Sequence, residues 1–147
     1  MCETTVIVIP CQDENGNSKK PYMTRIEDDF RSYQMLLDDA CFDIVRLFRL
    51  PGGRFVYAMV DDCGKIKELN ANGVLFDYVE NEMKSKMFYT LDGTVLLSVI
   101  DEYGETSDFL NDEAENILAG LIRSHERVQG KPIRPITSKS CIFSFTF

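Results

Sequence analysis

The strongest constraint in this sequence lies between Leu91 and Ile122, where an apolar strand, a turn and an amphipathic helix follow one another without a spacer. Residues 94–100 read TVLLSVI, a β-branched and aliphatic run of strand length. Asp101-Glu102-Tyr103-Gly104-Glu105 then supplies turn residues, with Gly104 free to take a positive φ. Asn111 is the expected N-cap, and Asp112 and Glu113 in the first turn suit the positive end of the helix dipole. Ala114, Ile117, Leu118, Leu121 and Ile122 fall on one helical stripe, and Gly130 and Pro132 end the helix. Strand and helix can bury their apolar faces on each other.

The remainder of the chain reads as more strands than helices. Residues 4–9 (TTVIVI) form a first strand stopped by Pro10, and a polar loop centred on Asn15-Gly16-Asn17 follows. Residues 22–26 return as a short strand. Asp28 or Asp29 caps a helix whose apolar positions are Phe30, Tyr33, Leu37 and Cys41. Residues 42–48 and 54–60 read as two strands joined by Arg49-Leu50-Pro51-Gly52-Gly53, a hairpin connector in which Pro presets φ and the glycines accept φ > 0. A turn is expected at 61–65 and a helix over 72–86, where Val74, Tyr78 and Met83 recur at rough helical spacing, interrupted by Phe76 and Val79. Beyond a Pro-containing basic connector, residues 141–147 alternate Cys141, Phe143, Phe145 and Phe147 on one face with Ile142, Ser144 and Thr146 on the other. That pattern is a half-buried strand, paired internally or with a second subunit in a homo-oligomer. The fold class expected is α+β: a mainly antiparallel sheet with two or three helices packed on one face, in a single globular domain over 1–147.

Composition narrows the functional classes. Apolar runs of about six residues fall far short of the ~20 that cross a bilayer. The first residues, Met-Cys-Glu-Thr-Thr, show no secretory pattern. Five widely separated cysteines without a CxxC pair, and a single histidine, speak against a zinc site and for reduced thiols in a cytoplasmic protein. The net charge is −8, but residues 127–147 hold four basic side chains and no acid, so residues 1–126 carry 12 basic against 24 acidic, or −12. An acidic body of this kind disfavours extended nucleic-acid binding.

No catalytic constellation is legible. There is no GxSxG elbow and no phosphate-binding loop. His125 borders the helical stripe and reads as structural, and Asp61 and Asp62 disfavour a thiolate at Cys63. These two are the residues an enzyme would have to use. The expectation is therefore no enzyme, no cofactor and no metal. Ligand binding has better material. Arg46, Arg49 and Arg54 cluster about one hairpin with Tyr57 on its second strand, and Lys131, Arg134 and Lys139 form a second basic group; arginine forks grip phosphate and an aromatic face stacks on a base. The competing interpretation is a solvated hairpin whose arginines answer the acidic body.

Three blocks, taken together, resemble a small domain of unknown function common in phages, plasmids and other bacterial mobile elements. The first spans residues 26–48, with Tyr33-Gln34-Met35-Leu36 leading into a strand. The second is Val60-Asp61-Asp62-Cys63-Gly64-Lys65-Ile66, followed by Leu69 and Asn72. The third runs through Asp92-Gly93-Thr94, residues 101–104 and Leu110-Asn111-Asp112-Glu113. The chain departs from the pattern at Asp38-Asp39, where paired glycines are usual, and at Asp61, where asparagine is expected. The resemblance covers residues 20–122, leaves 1–19 and 123–147 as additions, and brings no catalytic residue with it. It implies an accessory in the cytoplasm of a bacterial host that blunts defence, by inhibiting a host immune protein or by sequestering a nucleotide second messenger. The alternative is a structural or regulatory protein of the element's own replication or assembly.

Overall fold

The structure, a computed structural model, describes residues 2–64, 66–110 and 112–136. Asn111, Lys139 and the expected strand over 141–147 lie outside the described residues. The elements are β1 (Glu3–Ile9), β2 (Tyr22–Glu27), α1 (Phe30–Leu36), β3 (Phe42–Leu50), β4 (Arg54–Asp61), α2 (Gly73–Asp77) running into a π-helical turn (Tyr78–Glu82), β5 (Val95–Ile100), β6 (Thr106–Ser107) and α3 (Glu113–Val128).

The strands form one sheet in the order β2-β1-β5-β4-β3, with β6 also paired to β5, and every pairing is antiparallel. Alternation along the three inner strands divides the core in two. Ile7, Ile9, Val56, Ala58, Val95 and Leu97 point to one face, under α2, the π-helical turn and α3. Val6, Val8, Tyr57, Met59 and Leu96 point to the other, under α1. The α+β class and the helical layer on one face match expectation, and α1 adds a cover on the second face. Both faces being buried explains why β1, β4 and β5 read as continuous apolar runs rather than as alternating ones. Residues 1–19, outside the resemblance, include the interior strand β1, whose Val6, Ile7 and Ile9 are fully buried.

The strand-turn-helix unit forms, with Ala114, Ile117 and Leu121 of α3 in the same cluster as Val95 and Leu97 of β5, but the N-cap is Asp112 rather than Asn111 and its side chain makes no capping hydrogen bond. Two helices are shorter than their apolar spacing suggests. α1 is capped by Asp29, whose carboxylate accepts from the Ser32 amide at 2.7 Å. It stops at Leu36 instead of reaching Cys41, because Asp38 and Asp39 turn left-handed at φ of 55° and 61°. The helix expected over 72–86 is α2 plus the π-helical turn. A π turn inserts one residue into the helical repeat. That accounts for the only roughly helical spacing of Val74, Tyr78 and Met83, and it leaves Tyr78 and Val79 buried with Met83 packed beside them.

Candidate functional site: an arginine–phenylalanine ridge on the edge strand

The β3–β4 hairpin turns through Gly52 and Gly53 at φ of 81° and 75°, as the Pro-Gly-Gly connector requires. Its pairing puts Arg46 opposite Tyr57 and Arg49 opposite Phe55, with a register shift between Arg46 and Phe48. In a regular strand two residues three apart point to opposite faces. The extra residue of the bulge, Leu47, restores Arg49 to the face of Arg46, which is one of the uses to which bulges are put. Both guanidinium groups then lie over the same ring: Arg46 Cζ is 4.2 Å and Arg49 Cζ 5.1 Å from the centroid of Phe55. Such contacts contribute about 0.5–1 kcal/mol each at exposed sites. They hold two like charges side by side on a half-buried aromatic.

The hairpin's other two candidates are committed elsewhere. Arg54 is buried on the opposite face and forks onto Glu113 of α3, Nη1 donating to Oε1 at 2.8 Å and Nη2 to Oε2 at 2.7 Å. That pairing holds the Glu113 carboxyl below its ordinary range and raises Arg54. Tyr57 is 3% exposed and packs under α1. Burial pushes its phenol up, as it does that of neighbouring Tyr33, whose hydroxyl donates to Asp28 at 2.5 Å. Lys131 and Arg134 are exposed but follow the C-terminal end of α3, whereas Glu113, at its start, meets the hairpin. The helix between them is 16 residues long, a span of about 24 Å at 1.5 Å per residue. The structure therefore brings together Arg46 and Arg49, and it adds Phe55, which the sequence did not single out. The missing signal is the bulge: without it residues 46 and 49 fall on opposite faces.

Arg46 and Arg49 lack the acid that most of the other arginines have, an absence they share with Arg134 and with Lys19, Lys20, Lys84, Lys86 and Lys131 among the described residues. Arg25 pairs with Asp108, Arg31 with Asp39, Arg54 with Glu113, Arg123 with Glu82, and Arg127 with both Asp77 and Glu82. Among the described residues no carboxylate lies within ion-pair distance of Arg46 or Arg49. Beside them on the same face of β3, Ile44 is 60% exposed, and Phe42 stacks on Phe30 at 4.9 Å between centroids. On the other face of the same strand Val45, Leu47 and Phe48 line a cavity of about 190 Å³ together with Val79, Met83 and Met87, and Arg46, Ser85 and Lys86 also contribute to its lining.

Of the groups an enzyme or metal site would use, His125 Nδ1 is buried with no hydrogen-bond partner among the described residues. His125 is buried, its Nε2 2.9 Å from the Ser18 carbonyl, so that nitrogen carries the hydrogen and donates. The Asp62 carboxylate beside Cys63 pushes its thiol up. Asp61, Asp62 and Cys63 bring ligand atoms within 4.8 Å of one another, the one such group among the described residues. Asp61 there already accepts from the Cys63 amide at 2.8 Å and pairs with Lys67 at 2.7 Å. No helix among the described residues is long and apolar enough to cross a membrane. No protein-family model, curated protein or solved structure matches the chain.

Proposed function

We propose that this protein acts by binding a partner protein rather than by turnover, and that its setting is a phage or mobile element whose bacterial host's defence it blunts. The observation that carries the binding reading is the Arg46–Phe55–Arg49 ridge. In a chain with 24 acids, two arginines are held on one ring with no carboxylate, next to exposed Ile44. Leaving such groups exposed and uncompensated suits an interface, where arginine and aromatic residues supply most of the binding energy. The defence setting rests on the resemblance of residues 20–122 and on nothing in the geometry.

Of the two partners that resemblance implies, a protein fits better than a nucleotide messenger. Arg54 and Tyr57, half of the expected nucleotide pocket, are buried in structural contacts. The cavity of about 190 Å³ beside β3 is below the roughly 300–1,000 Å³ usual for small-molecule sites. Affinity capture from extract of a bacterial host tests the reading. The wild-type chain should retain a discrete polypeptide and release no material absorbing at 260 nm on denaturation. A chain that retains no polypeptide, or one that releases a stoichiometric nucleotide, would overturn it.

A further inference from the structure

We propose that the outer edge of β3 is the docking site for an extended segment of a partner protein whose side chains alternate acidic and apolar. This deepens the binding reading and rests on it. β3 is a nine-residue strand, and among the described residues it pairs only with β4. A long free edge presents unpaired backbone donors and acceptors, and an added strand satisfies them. Successive residues of an added strand point to opposite faces of the sheet. On one face they meet Arg46 and Arg49; on the other they meet a mainly apolar cavity walled by Val45, Leu47, Phe48, Met83 and Met87, with Arg46, Ser85 and Lys86 also in its lining. One face asks for carboxylates and the other for apolar groups. A strand of period two delivers both.

Charge also decides against the other occupants. The ridge face of β3, carrying Phe42, Ile44, Arg46 and Arg49, has no acid, so a second copy pairing β3 to β3 brings arginine towards arginine. Residues 137–147 of this chain contain no acid either. A phosphate polymer needs a broader basic surface than two arginines on a body of this sign. The net charge of −8 does not forbid an acidic segment locally, because the screening length at physiological ionic strength is about 8 Å.

A labelled synthetic peptide as long as β3, alternating glutamate and valine, tests the site by fluorescence anisotropy with the full chain. It should bind, weaken as salt rises, and lose binding when alternate amides are N-methylated. Arg46→Glu/Arg49→Glu should lower its affinity roughly tenfold or more, the effect of losing and reversing two exposed ion pairs. The Arg46→Lys/Arg49→Lys variant should keep most of it. Both pairs of substitutions are at exposed positions, and unchanged thermal unfolding confirms that the fold survives. A lysine–valine peptide binding equally well would overturn the proposal, as would indifference to the charge reversal. Self-association of the wild type that Arg46→Glu/Arg49→Glu abolishes would assign the edge to a second copy and overturn it too. A host polypeptide captured equally by wild type and charge-reversed variant would overturn the edge site while leaving the binding reading intact. Capture of nothing would remove the reading beneath it.

Discussion

Arg49 and Arg54 are five positions apart on one hairpin, yet one is exposed over a phenylalanine and the other buried in a fork with Glu113. The difference lies in which face each occupies and in what the opposite element offers there. The Arg54–Glu113 pair also closes the start of α3, because Glu113 accepts from the Leu110 amide at 2.8 Å. Glu113 sits below its ordinary 4.5 in the folded state, chiefly through the Arg54 hydrogen bonds. A depressed carboxylate contributes stability that is complete above its unfolded value and is lost as pH falls through the folded one. Unfolding free energy should therefore decline below about pH 4.5. Arg54→Met should flatten that acid limb and cost roughly 2–4 kcal/mol near neutrality, since it strands a mostly buried carboxylate. Urea titrations of both proteins from acid to neutral pH would check the pair, and parallel acid limbs would rule out this assignment.

Asp38 is a second residue whose backbone fixes the outcome. It is exposed, with φ of 55°, and Asp39 follows at 61°. Left-handed backbone costs an ordinary L-residue about 1–2 kcal/mol, less for Asp, while glycine gives back some 0.5–1 kcal/mol through its freer unfolded chain. Asp38→Gly should come out stabilising by about 0.5 kcal/mol, seen as a raised denaturation midpoint. A lowered midpoint would mean that Asp38 makes a contact outweighing its strain. Asp39 is the poorer choice because it pairs with Arg31 at 2.8 Å. The glycine pair expected from the resemblance would take both conformations freely.

At the scale of elements, the sequence was most readable where one residue pattern had one physical outcome. The strand-turn-helix unit, the Pro-Gly-Gly hairpin and the Asp29 cap all follow from local chemistry. The π-helical turn did not, since inserting one residue produces a spacing that fits neither helix nor strand. Nor did the bulge at Leu47, because a register shift is a property of two strands and the pattern of either alone does not reveal it. That is why Arg46, Arg49, Arg54 and Tyr57 looked like one cluster when only the first two share a surface. Gly120 shows the same limit within α3. A glycine in mid-helix normally weakens it by about 0.5–1 kcal/mol relative to alanine, yet a Cβ there would stand 2.7 Å from Tyr78 Cε1. Tyr78 is buried, so its ring has little room to retreat. Gly120→Ala should destabilise the protein by about 1–3 kcal/mol despite the better helix former. Pairing it with Tyr78→Leu should recover part of the loss. Thermal unfolding of the two single variants and the double would show whether the sites couple.

The molecule as a whole has two cores but one sheet. Val56, Ala58 and Val60 of β4 face one core while Tyr57 and Met59 face the other, and β1 and β5 divide their side chains in the same way. Neither core can loosen without disturbing strands whose other face is still packed. The loop after β1 ties further segments to this frame. Buried Gln12 donates to the carbonyls of Gly16 at 2.8 Å and Val128 at 3.2 Å, and accepts from the Gly73 amide at 2.9 Å, joining the start of α2 to the end of α3. Unfolding should therefore be a single cooperative transition, as is usual for a domain of this size. Met59→Ala, under α1, and Leu121→Ala, under α3, empty fully buried positions in different cores. Each should cost about 2–5 kcal/mol. Both should shift the same transition, with far-ultraviolet and near-ultraviolet circular dichroism still superimposed. If Met59→Ala instead separated an early loss of α1 from a later melting of the sheet and α3, the two cores would be independent units. The shared strands would then be a scaffold without cooperativity.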